Sequence, residues 1–250
     1  MSEVKSLKKL FKVLNLFTRK KLRHPSAWQN LKKPGLEFMT TPLYYSTQYT
    51  QYHEKTFHID PSSFLAPFAK QLKPGAHVLD IGCGSGRDLL WLVKKGFRAT
   101  GFEASPGLAA LARRNANCTV IEGDFESFDF STLSADALLL SGALVHLPHD
   151  QMESVLRNIL QALTNQTEAL VYLSLKEGGE GYTDAHNRTF YLWQDPDIRS
   201  VFRKLSLHVM DCTRTSSVLG TGEAWLGYVL KKRDYPMSGY SCSNSGSKLV

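Results

Sequence analysis

Val78-Leu79-Asp80-Ile81-Gly82-Cys83-Gly84-Ser85-Gly86-Arg87-Asp88 decides how the rest of this 250-residue chain is read. Apolar residues up to Ile81 give way to three glycines at alternate positions, and the helical run Leu89-Leu90-Trp91-Leu92-Val93 follows. The order is strand, tight turn, helix. Glycines there let the backbone turn sharply and let a ligand lie against bare amides at a helix N-terminus. A dinucleotide loop of the form G-x-G-x-x-G, counted from Gly82, needs glycine at position 87, where Arg87 stands. Asp80, two residues before the first glycine, would repel a pyrophosphate and suits a ligand that carries an ammonium and a sulfonium.

Downstream, strand and helix patterns alternate. Phe97 to Glu103 reads as a second strand ending in an acid, with Ala104-Ser105-Pro106 opening a helix. An acid at the carboxyl end of such a strand, about twenty residues after the loop, can accept hydrogen bonds from both hydroxyls of a ribose. Cys118 to Glu122 is a third short strand running into Gly123-Asp124-Phe125, and the near-continuous apolar run Ala135 to Ser141 is a fourth, buried on both faces. Helical spacing over Asp150 to Leu163, a fifth strand from Glu168 to Leu175, a helix from Gln194 to Leu205 and a closing hairpin-like pair, Leu207 to Thr215 and Glu223 to Lys231, complete the pattern. Before the loop, Asp60-Pro61 supplies an N-cap and an N1 proline for a helix through Gln71, which Pro74-Gly75 ends.

The D-x-G-x-G-x-G form resembles motif I of the class I S-adenosylmethionine-dependent methyltransferases, and the later strands follow that family's order over residues 75 to 230. The resemblance implies an α/β fold, a Rossmann-like doubly wound seven-stranded sheet with the last strand antiparallel, and S-adenosylmethionine as cofactor. It implies Asp80, Gly82, Cys83, Gly84 and Gly86 at the methionyl end, Glu103 and Ala104 at the ribose, and Asp124 and Phe125 at the adenine. Ser141 and Leu144 fall in or beside the stretch Gly142 to Pro148, which resembles motif IV, the floor next to the transferring methyl. His146 is the imidazole nearest that point, either a base for the acceptor atom or a structural residue bonding the following loop. Tyr45 and Tyr52, in an aromatic-rich lead-in over residues 40 to 58, are placed either as a lid over the cofactor or as rings packed on the surface.

The segment Lys176 to Trp193, with lysine, glycines, glutamate and then R-x-F, resembles bacterial small-molecule methyltransferases of the tellurite-resistance type. Lys176, Glu180 and Arg188 are therefore acceptor-contact candidates, with a charge-paired surface loop as the alternative. No N-P-P-[YFW] or D-P-P-Y segment and no Pro-Cys dipeptide is present, which disfavours exocyclic-amine methylation of bases and the cysteine-adduct route to C5-methylated pyrimidines. The expected activity is in-line methyl transfer to a small-molecule acceptor, with no metal required. An RNA or protein acceptor docked through the basic N-terminus, and a non-catalytic cofactor-binding partner protein, are the alternatives.

Charge is unevenly placed. Residues 1 to 33 hold ten lysines and arginines against Glu3 alone, while the whole chain is +7, so the remainder is slightly acidic. Val4, Leu7, Leu10, Phe11, Leu14 and Phe17 recur at helical spacing among those cations, which describes a basic amphipathic arm over residues 1–38 able to meet an anionic membrane, nucleic acid or a partner. The methyltransferase domain is expected over residues 39–231, and a Ser, Gly, Asn and Tyr tail without periodicity over 232–250. Four widely spaced cysteines suggest neither a zinc site nor a disulfide framework, and a cytoplasmic setting is the default. The most apolar window, Ala135 to Leu147, is too short to span a bilayer.

Overall fold

The computed structural model describes residues 40–164 and 169–232. The basic arm and the tail from 233 onward, with every expectation that falls on them, lie outside the described residues, and Lys232 itself ends the last strand. Two short helices, α1 (Thr41–Thr47) and α2 (Tyr49–Thr56), precede α3 (Ser62–Ala69). Then come β1 (His77–Ile81), α4 (Arg87–Lys94), β2 (Arg98–Glu103), α5 (Pro106–Ala116), β3 (Val120–Glu122), β4 (Ala137–Ser141), α6 (Met152–Ile159) and β5 (Leu170–Glu177). A small hairpin, β6 (Tyr182–Thr183) with β7 (Thr189–Phe190), leads to α7 (Asp195–Lys204), β8 (Leu207–Ser216) and β9 (Ala224–Lys232).

Seven strands form one sheet in the order β3-β2-β1-β4-β5-β9-β8. The first five are mutually parallel, and β9, the last strand, runs antiparallel to both β5 and β8, as the resemblance implied. Chain order reverses between β1 and β4: β2 and β3 lie on one side, β5 on the other. A crevice opens at the carboxyl ends of the strands at such a reversal. The apolar run of β4 follows from its position, since Leu138 and Leu140 join the core on one face while Ala137 and Leu139 join the core on the other.

Local boundaries shift for physical reasons. Pro61 occupies the N-cap of α3 instead of N1, and Asp60 acts one residue earlier by accepting from the Ser62 N–H at 2.9 Å. The helix expected through Leu163 is α-helical only to Ile159 and tightens into a 3₁₀ turn over Leu160–Ala162. Cys83 and Cys118 are free thiols, whereas Cys212 on β8 is disulfide-bonded, a pairing that the wide cysteine spacing did not suggest. Among the described residues, no helix is long and apolar enough to cross a membrane.

The glycine loop holds β1, α4 and α5 together. Gly86 caps α4 with φ +86°, and a Cβ there would stand 2.8 Å from the Ala112 Cα of α5. Gly86→Ala is therefore expected to combine left-handed strain with overpacking against a helix backbone, and to cost about 2–4 kcal/mol. Urea unfolding measures this. An unchanged midpoint would mean that α4 and α5 do not meet through this glycine.

Candidate active site

β1 carries Asp80 to the rim of the crevice at 1 % exposure, and its Oδ2 has no hydrogen-bond partner. Burial and then the neighbouring Asp88 push the Asp80 carboxyl well above the usual carboxylate range, with Arg87 pulling the other way. Asp88 is itself held by the Arg87 guanidinium through two contacts of 2.6 and 2.9 Å. Gly82 follows with φ +66°, and a Cβ on it would fall 2.9 Å from that of Ala143, so the loop lies against the stretch after β4.

Glu103 ends β2, and its carboxylate joins two loops. One oxygen accepts from the Gly84 N–H at 2.9 Å and the other from the Ser105 N–H at 2.8 Å. Burial raises its pKa while these backbone donors act against the rise. Ala104 beside it is exposed. Asp124, two residues past β3, is also exposed and accepts from the Glu126 N–H at 2.9 Å, while Phe125 is half-buried against the core. Since β3, β2 and β1 are neighbours in the sheet, Asp80, Glu103 and Asp124 share one edge of it.

The aromatic lead-in folds as α1 and α2 over that same edge. Tyr49 packs its ring against Gly107, where any Cβ would come within 2.5 Å, and the Tyr45 carbonyl accepts from the Ser105 hydroxyl at 2.8 Å. Tyr45 and Tyr52 meet edge to face with centroids 5.1 Å apart. The Tyr45 hydroxyl lies 2.9 Å from His146 Nε2, and His146 Nδ1 lies 2.5 Å from the Thr189 carbonyl. A carbonyl only accepts, so Nδ1 carries the proton and Nε2 accepts from Tyr45. His146 thus bonds the β7 backbone through Nδ1 and Tyr45 through Nε2.

Lys176 and Arg188 define the opposite wall. Lys176, at 6 % exposure near the end of β5, donates to Glu223 and, at 2.7 Å, to the Tyr182 hydroxyl, which in turn donates to Glu223. Arg188 grips Asp184 Oδ2 through Nε at 2.8 Å and Nη2 at 2.6 Å. A cavity of about 470 Å³ runs between this wall and the glycine loop. Of the expected residues, Asp80, Gly82, Cys83, Ser141, Tyr45, Tyr52, Lys176 and Arg188 line it. Gly84, Gly86, Glu103, Ala104, Asp124, Phe125, His146 and Glu180 do not, and Leu144 is fully buried in the core with Val145 lining the cavity beside it.

Sequence reasoning missed Tyr44, Arg87, Tyr182, Asp184, Glu223 and Trp225, all of which line the cavity. The signal for the last two was the antiparallel last strand. Lys176 pairs with Trp225 and Glu177 with Ala224, so the start of β9 sits at the carboxyl end of β5.

Burial, with Arg188 and Lys176 nearby, outweighs the bond to Thr189 and lowers the His146 pKa to about 4 from 6.5. A depressed imidazole pKa means that the unfolded chain binds the extra proton first, so stability is full above pH 6.5 and falls as pH drops toward 4. Between pH 7 and 5 the loss from this residue is expected to be roughly 2 kcal/mol. A His146→Gln variant should lack that increment in unfolding titrations, and an imidazole resonance titrating near 6.5 would rule the arrangement out.

The comparisons with known proteins agree with this geometry. Residues 78–166 match the family model described as a methyltransferase domain. An uncharacterized methyltransferase of Synechocystis sp. is 30 % identical over 111 residues, 44 % of this chain and 50 % of that protein. The Bacillus subtilis methyltransferase YrrT is 26 % identical over 115 residues, 45 % and 54 % of the two chains. The chain therefore spans about half the length of these curated relatives. Among solved structures, the Burkholderia thailandensis 1,6-didemethyltoxoflavin-N1-methyltransferase, with its substrate and S-adenosylhomocysteine bound, superposes with a TM-score of 0.61 at 22 % identity, covering 76 % of this chain and 84 % of that one. A TehB-like S-adenosylmethionine-dependent methyltransferase of Corynebacterium glutamicum gives 0.55 at 22 %, covering 75 % and 98 %. Residues 78–166 thus carry a methyltransferase domain, and the sheet order and glycine loop give the chain the Rossmann-like fold of these S-adenosylmethionine-dependent methyltransferases.

Proposed function

We propose that this protein binds S-adenosylmethionine along the carboxyl ends of β1 to β3, with its methionyl end at Asp80 and Gly82 in the cavity, and transfers its methyl group to a small-molecule acceptor held in the far part of that cavity. The observation that carries the reading is continuity: one cavity of about 470 Å³ reaches from Asp80 and Gly82 to Lys176 and Arg188. A volume of that size suits a small molecule.

The residues present fit the cofactor. The orphaned, buried Asp80 Oδ2 is an acceptor that an ammonium group would satisfy, and Ser141 lies beside it on the cavity wall. Each Glu103 oxygen takes one backbone N–H and keeps acceptor capacity for a ribose hydroxyl. Asp124 and Phe125 stand at the next strand tip for the adenine. When bound, S-adenosylmethionine supplies a methyl group already activated by the sulfonium charge. The chain's own work is then to orient the acceptor atom and to keep water out, which Tyr44, Tyr45 and Tyr52 do by covering the glycine loop from α1 and α2.

Calorimetry with S-adenosylmethionine tests the reading. Glu103→Ala is expected to weaken binding by about tenfold or more, because charge-assisted hydrogen bonds contribute about 1.5–3 kcal/mol each. Glu103→Gln, which keeps the shape and one acceptor, should fall between. Absence of binding heat with the unmodified protein would remove the methyl-transfer reading, and equal affinities across the three proteins would remove the ribose assignment.

A further inference from the structure

Resting on that reading, the far wall of the cavity specifies the chemistry of the acceptor. Its aromatic faces are already taken by the protein's own cations. Lys176 Nζ lies 3.7 Å from the centre of the Phe190 ring and 5.2 Å from that of Tyr182. Arg188 Cζ stands 4.3 Å over Tyr44 and 5.2 Å over the same Phe190. Vacant aromatic faces would capture an ammonium ion, whereas an ammonium arriving here finds those faces already occupied by the protein's own cations.

Carboxylates on this wall give an amine no help. Asp184 is gripped by Arg188 and also accepts from the backbone N–H groups of His186 and Arg188. Glu223 accepts from Lys176, Tyr182 and, at 2.9 Å, Thr221. Donors, by contrast, are in surplus. An ammonium has three N–H groups, and Lys176 places two of them, on Glu223 and Tyr182. Arg188 has five, of which Nε and Nη2 serve Asp184. The Lys176 side chain is only 7 % exposed, so water does little to satisfy what remains.

We infer that the acceptor is a planar aromatic oxygen acid, bearing a carboxylate or phenol-type oxygen that Lys176 and Arg188 hold, and that protonated amines are turned away. The flat shape follows from the rings that line this end, Tyr44, Tyr182, Phe190 and Trp225 among them, whose edges are left to pack against another ring once the cations cover their faces. On this wall the cations keep N–H groups over while both carboxylates are engaged, the complement of an oxygen edge.

The test titrates two probes of matched ring, 4-hydroxybenzoate and benzylamine, into the full-length protein saturated with S-adenosylhomocysteine, after calorimetry with S-adenosylmethionine. 4-Hydroxybenzoate is expected to bind and benzylamine to give no heat at the same concentration. Lys176→Met should weaken 4-hydroxybenzoate by about tenfold or more while leaving the affinity for S-adenosylmethionine in place. Arg188→Gln is the second variant, used if the first does not fold. Benzylamine binding as tightly as 4-hydroxybenzoate, neither probe binding, or unchanged affinity in a folded variant would overturn the inference and leave the methyl-transfer reading standing. No heat with S-adenosylmethionine would overturn both.

Discussion

One buried carboxylate fixes the geometry on which the rest of the site depends. Glu103 receives the Gly84 N–H from the loop after β1 and the Ser105 N–H from the turn after β2, so a single side chain sets the spacing of two strand ends. Burying a carboxylate is costly unless donors compensate it, and backbone amides are the least mobile donors available. Ser105 extends the chain of constraint, since its hydroxyl donates to the Tyr45 carbonyl and ties α1 to the same turn. Tyr45 in turn donates to His146, which is fixed by the Thr189 carbonyl beyond β6. Carboxylate, turn, lead-in helix and the β6–β7 hairpin are thus linked by hydrogen bonds, all but that from Ser105 N–H to Glu103 crossing long stretches of sequence.

That linkage separates what was legible in the sequence from what was not. The glycine spacing after Ile81, the acid ending β2 and the two-faced apolar run of β4 are local patterns, each set by a turn or by burial of a single strand. They led directly to the sheet. The far wall is a product of long-range return: Glu223 just precedes β9 and Trp225 lies in it, and only the antiparallel pairing of β9 with β5 brings them to Lys176. His146 is the sharper case. Its sequence context allowed a base or a structural residue, and the difference rests on partners 43 and 101 positions away. Local reading also split the ion pairs, because Arg188 stood out while its partner Asp184, four residues earlier in the hairpin, did not.

The electrostatics of the cavity can be argued from groups left unmatched. Three buried side-chain atoms among the described residues lack a hydrogen-bond partner: Asp80 Oδ2, His53 Nδ1 and Trp193 Nε1. An orphan alone does not mark a site, since neither His53 nor Trp193 lines the cavity. Asp80 differs because its unmatched atom is an acceptor at one end of a cavity whose other end carries surplus donors on Lys176 and Arg188. The two deficits are opposite in kind and face the same space. A ligand with a cationic group at the glycine loop and an oxygen edge at the far wall would match both ends, since Glu103, Asp88, Asp184 and Glu223 are already engaged within the protein. An unsatisfied buried acceptor costs stability in the free protein, so a cationic group seated on Asp80 stabilises the fold by more than contact area alone predicts.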